Sequence, residues 1–129
     1  MSMDEALGSG VQVGLSTDLV DGGHGLRFAV HAYGADTTGF VIRHHGTVYG
    51  YLNRCAHVPI ELDWAEGEFF ESSKLYIMRQ THGAIYTPDT GVCAGGPCKG
   101  GRLRPLTVRE ADGAITWFPD EVVKAPAAT

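Results

Sequence analysis

The sequence predicts an all-β protein, a small β-sandwich or barrel with long loops. Short runs alternate apolar and polar residues and are rich in β-branched and aromatic side chains. Glycine is the outlier in composition, 18 of 129 residues, about twice its usual share. Turn pairs such as Asp112-Gly113 sit between the runs. A helical bundle is excluded by the same observations, since glycine costs helix stability and apolar residues do not recur every third or fourth position.

The elements follow in chain order. Residues 1–10 are polar and unpatterned and are expected to be a flexible N-terminus. The domain is expected over 11–120, with a Pro/Ala-rich flexible tail at 121–129. Within it, strands are predicted at Leu26 to Tyr33, Phe40 to His44, Thr47 to Leu52, Lys74 to Met78 and Gly83 to Tyr86. His44-His45-Gly46 reads as the hairpin turn between the second and third of these. Leu106 to Glu110 and Ala114 to Phe118 form a last hairpin around Ala111-Asp112-Gly113, closed by Pro119. The stretch Pro59 to Ser73 is acidic and aromatic, and Gly67 argues against a long helix there.

Composition narrows the function. Hydrophobic residues at 43% and charged residues at 19% suit one globular domain. A net charge of −5 offers no basic face, so no nucleic acid is expected. No apolar run reaches the ~20 residues of a membrane helix, so no membrane is expected either. The first residues lack the basic and apolar regions of a signal peptide, and a cytoplasmic location is the expectation. Three cysteines are too few for a disulfide scaffold.

Three loops carry the chemistry. Asn53-Arg54-Cys55-Ala56-His57-Val58-Pro59 leaves a strand with a thiol and an imidazole two residues apart, a pairing able to bind Fe, Zn or Cu. Arg79-Gln80-Thr81-His82-Gly83 places a further histidine at a second strand exit. Thr90 to Gly101 is rich in glycine and holds Pro97 and the cysteines Cys93 and Cys98.

In combination, RCAH, then THGAIYTPDTG, then GGP, then a closing LTVREADGAITW resemble the Rieske [2Fe-2S] domain, from about Val11 to Phe118. The resemblance implies a β fold with two metal-binding loops and a proline-containing cover loop. One iron of such a centre takes two cysteines and the other two histidines. Cys55, His57 and His82 stand at three of those metal-ligand positions. Gly83, Tyr86, Gly95, Gly96 and Pro97 match positions around the cluster, with Tyr86 at an aromatic position near a ligand sulfur.

The second cysteine position is occupied by Arg79. A guanidinium stays protonated and cannot ligate iron. Three accounts of it stand open: a degenerate position at which cluster loading is lost, replacement of the missing thiolate by Cys98, or a single metal held by Cys55, His57 and His82. By resemblance the cofactor is a [2Fe-2S] cluster. The implied role is electron transfer as an accessory or ferredoxin-like component with a redox partner protein, a reductase or oxygenase, and not an enzyme by itself. The alternatives are a degenerate pseudo-Rieske binding module without a cluster and a mononuclear metal site.

Other residues read more plainly. Cys93 and Cys98 are either two reduced thiols or a short-loop disulfide. His24, His31, His44 and His45 are expected at the surface or in turns. Trp64, Phe69, Phe70 and Trp117 are expected to pack. The acidic stretch Glu61 to Glu71 is a solvated face, or a surface that steers a basic redox partner.

Overall fold

The computed structural model describes residues 10–54, 69–70, 76–79, 84–96 and 101–126. Its strands are β1 (Val11–Leu15), β2 (Leu26–Ala32), β3 (Ala35–His44), β4 (Thr47–Leu52), β5 (Ile77–Arg79), β6 (Ala84–Tyr86), β7 (Cys93–Gly95), β8 (Pro105–Ala111), β9 (Ala114–Phe118) and β10 (Val123–Lys124). A 3-10 turn at Ser16–Asp18 follows β1, and no other helical element occurs among the described residues. Seven strands form one antiparallel sheet in the order β1-β9-β8-β4-β3-β2-β10, and β5-β6-β7 form a second. No helix among the described residues is long and apolar enough to cross a membrane.

Three hairpins build the large sheet, each turned by two residues with positive φ. These are Tyr33-Gly34 (54° and 77°), His45-Gly46 (50° and 82°) and Asp112-Gly113 (53° and 78°). Such pairs twist with the flanking strands, which is why glycine follows an ordinary residue in each. The first turn falls at Tyr33, expected inside a strand, and it starts β3 at Ala35 and not at Phe40. The second is tighter than expected, because His44 still pairs with Thr47.

β3 buries Phe40, Val41 and Ile42 in succession. Consecutive burial means that both faces of the strand are covered. Phe40 and Ile42 face a core shared with Tyr51, Phe69, Ile77, Tyr86 and Leu103, which joins the small sheet to the large one. Val41 faces the opposite way, toward Leu19 and Ile115. The sheet curls to enclose that second face. Gly14 on β1 comes so close to β2 that a β-carbon there would lie 2.4 Å from Cδ1 of Leu26.

Several expectations change. The glycine-rich loop 90–101 contains β7. The tail supplies β10, where Val123 is fully buried and pairs with Ala32; its backbone is held by Asp120, whose carboxylate accepts from the Val122 and Val123 amides. His44 is not a surface residue. It is 9% exposed and stacked between His45 and Phe70. Phe69, Phe70 and Trp117 pack as expected, Phe69 face to face with Phe40 at 3.9 Å. Trp64 and most of the acidic stretch lie outside the described residues.

Candidate functional site

The register of the small sheet defines one end of it. Ile77 pairs with Tyr86, Met78 with Ile85 and Arg79 with Ala84, so Arg79 and Ala84 are the last paired residues on either side of positions 80–83. β7 runs back along β6 with Gly95 opposite Ile85 and Cys93 opposite Tyr86. The chain therefore leaves β7 at Gly95-Gly96, beside the end from which the 80–83 loop emerges. Gly96 has φ of 79°, a conformation that favours glycine as the chain turns away. Of the residues implied around a cluster, Gly95 and Gly96 are brought to this end, together with the backbone of Arg79.

The third loop is drawn shut at its base. The Cys93 amide donates to the Gly101 carbonyl at 3.0 Å, the Leu103 amide donates to Gly91 at 2.8 Å, and Val92 bridges to Arg102. The chain before and after positions 97–100 is thus bonded together. Cys93 is disulfide-bonded. Its Sγ also lies 3.6 Å from the Gly95 carbonyl oxygen, a packing contact, since a bonded sulfur carries no proton to donate.

The first loop leaves β4 under tight control. The Asn53 amide donates to the Thr38 carbonyl at 2.8 Å, and its side-chain Nδ2 donates to Thr38 Oγ1 at 3.2 Å. Asn53 is 1% exposed. The Arg54 amide donates to Leu52, and its guanidinium lies 4.9 Å from the centre of the Tyr33 ring. These contacts fix the chain where it leaves β4. Asn53 was not singled out by the sequence, where it stands as one polar residue of the loop; its burial and its bonds to Thr38 come from the fold.

Tyr86 is fully buried, inside the core that joins the sheets. The far end of the small sheet is fixed by Tyr51, whose hydroxyl donates to the Pro88 carbonyl at 2.7 Å. Burial pushes the Tyr51 phenol well above its usual range, so it remains a donor. Cys55, His57, His82, Gly83 and Pro97 lie outside the described residues, as does Cys98. Among the described residues no three metal-ligating side chains meet.

No family model matches the sequence, and no curated protein matches it. Solved structures do. The ferredoxin of carbazole 1,9a-dioxygenase from Nocardioides aromaticivorans IC177 superposes with a TM-score of 0.65 at 24% identity, covering 86% of this chain and 98% of that one. A chain of the complex of reduced oxygenase and oxidized ferredoxin in carbazole 1,9a-dioxygenase gives 0.65 at 21% identity, covering 84% of this chain and 92% of that one. A chain of the reduced complex between oxygenase and ferredoxin of that system gives 0.63 at 21% identity, and this chain spans 28% of its length. The chain shares its all-β fold with these ferredoxins, in agreement with the β fold that its motifs imply.

Proposed function

We propose that this chain is a Rieske-type, ferredoxin-like accessory component of an oxidoreductase system, which meets a redox partner of the oxygenase or reductase kind. One observation carries the reading: the likeness to a stand-alone ferredoxin runs over nearly the whole of both chains. Within that frame RCAH follows β4 and THG lies between β5 and β6, so Cys55, His57 and His82 follow the strand exits where the family keeps ligands.

A [2Fe-2S] cluster supplies one-electron transfer when bound in such a protein, at a potential raised by its histidine ligands. The donor set here does not complete one. Cys55, His57 and His82 give three donors, and the position of the fourth is held by Arg79 at the end of β5. No electron-transfer step is therefore assigned to this chain's own residues. What those residues supply is the scaffold: Asn53 fixes the first loop, the Arg79 and Ala84 pair closes the second, and the Cys93 to Gly101 bond closes the third.

A second reading is favoured by Arg79, a degenerate module that keeps the fold and the partner surface without a cluster. A mononuclear site at Cys55, His57 and His82 is the third arrangement these donors allow. Iron and acid-labile sulfide analysis with a visible spectrum, on protein purified anaerobically, separates them. Iron with sulfide supports the carrier, neither supports the cluster-free module, and one metal without sulfide supports the mononuclear site. A folded chain that binds neither metal nor any oxygenase or reductase component would overturn the proposal.

A further inference from the structure

We infer that this chain as encoded does not close a [2Fe-2S] centre, that the missing donor is the one at Arg79, and that the disulfide at Cys93 keeps the cover loop from making it good. The inference rests on the Rieske reading of the ligand positions, which the carrier and cluster-free readings share.

The argument is one of counting donors. One iron of a Rieske centre requires two thiolates. The chain has three cysteines, Cys55, Cys93 and Cys98. Cys93 is in a disulfide, and its partner must be one of the other two. If the partner is Cys98, the cover-loop thiol nearest the site is consumed and Cys55 is left alone. If the partner is Cys55, the first family ligand is itself consumed. Either pairing leaves a single thiol, so the two-thiolate iron cannot form.

Charge points the same way. Two thiolates neutralise part of the charge of a ferric pair, whereas an arginine in place of one of them adds a positive charge and no lone pair. The backbone of position 79 is also not free to withdraw. It ends β5, paired to Ala84, and β5 is pinned through the Met78 amide to the Phe69 carbonyl at 2.9 Å. Position 79 therefore stays fixed at the end of β5, three residues before His82 in the sequence, the ligand position that the Rieske resemblance implies.

The test compares the full-length natural chain with Arg79→Cys and Arg79→Ser, each as isolated and after dithiothreitol reduction. All are incubated anaerobically with ferrous iron and sulfide, and iron, labile sulfide, visible absorption and electron paramagnetic resonance are measured. The expected result is no iron-sulfide centre in the natural chain or in Arg79→Ser as isolated, and about two iron and two sulfide per chain in reduced Arg79→Cys with a Rieske-type spectrum. A cluster in the natural chain as isolated overturns the inference while upholding the carrier reading; one that appears only after reduction supports it, with Cys98 or Cys93 as the thiol the disulfide withheld, and a reduced natural chain that stays empty overturns the part given to the disulfide. An Arg79→Cys protein that folds by circular dichroism yet stays empty even after reduction overturns the inference together with the Rieske reading of the site.

Discussion

The guanidinium of Arg43 on β3 and the carboxylate of Glu110 on β8 are joined by two parallel hydrogen bonds, 2.6 Å and 3.1 Å long, across the strand that separates them in the sheet. Arg43 also donates to the carbonyls of Leu19, Gly46 and Ser16 at 3.2, 3.1 and 3.1 Å. The pair is a junction of β3, β8, the turn after β1 and the His45-Gly46 turn. An exposed ion pair contributes ~0–1 kcal/mol. This one is bidentate and partly buried, with side-chain exposures of 15% and 29%. Arg43→Met is expected to lower stability by about 1.5–3 kcal/mol, the range for hydrogen bonds to charged groups. Urea denaturation checks it, and an unchanged midpoint would show that the junction contributes nothing.

The same pair predicts a pH dependence. Hydrogen bonds from Arg43, and then from Ser16, bring the Glu110 carboxyl down from 4.5 to about 2. A carboxylate depressed on folding stabilises the protein above its unfolded value, and the contribution is lost as pH falls through the folded value. Stability should therefore decline between pH 4.5 and about 2. Asp21 acts in the same direction, because its carboxylate accepts from the Gly46 and His45 amides. Glu110→Gln should be less stable at neutral pH and should show a flatter acid limb in urea titrations run from pH 6 downward. An acid limb as steep as that of the natural chain would assign the dependence elsewhere.

Gly91, packed against Tyr51, and Gly34, in the turn between β2 and β3, separate strain from crowding. Both have positive φ, 74° and 77°. A β-carbon at Gly34 would meet nothing within 4 Å, whereas at Gly91 it would lie 2.7 Å from Cε1 of Tyr51 and 3.3 Å from Cβ of Leu103. Gly34→Ala should cost only the left-handed backbone term, about 1–2 kcal/mol. Gly91→Ala should cost clearly more, because Tyr51 is bonded to Pro88 and cannot give way freely. Tyr51→Phe, which strands a buried carbonyl, should lose about 1–3 kcal/mol. Thermal unfolding of the three variants orders them; equal losses for the two glycines would remove the clash from the account.

How much was legible follows from which forces act locally. The last hairpin was read almost to the residue, since Asp112-Gly113 fixes the turn and the flanking alternation fixes the strands. The motifs RCAH and THG stand out in the sequence because they carry their chemistry in adjacent residues, but Cys55, His57 and His82 lie outside the described residues. β7 was not legible, for Cys93–Gly95 has no β-branched residue and pairs only because β6 lies alongside. β10 was missed for a similar reason: its one anchor is Val123, buried against a strand some ninety residues earlier. His44 was placed outside by its type, and tertiary packing against Phe70 put it inside. For β10 and His44 the deciding contact is distant in sequence, whereas for β7 it is the neighbouring strand β6.

The state of the cysteines gives the last prediction. With Cys93 in a disulfide, the unfolded, unreduced chain should react with a thiol reagent at one cysteine, and after reduction at all three. Closing a loop in this way restricts the unfolded chain, and short loops gain less than long ones. The partner can be told by that difference. A link to Cys98 spans four intervening residues and should shift the unfolding midpoint little on reduction, whereas a link to Cys55 encloses the segment that carries β5 and β6 and should shift it more. Peptide mapping under non-reducing conditions identifies the partner directly. Three reactive thiols before reduction would show Cys93 unpaired, and would return a cover-loop thiolate to the reach of the site.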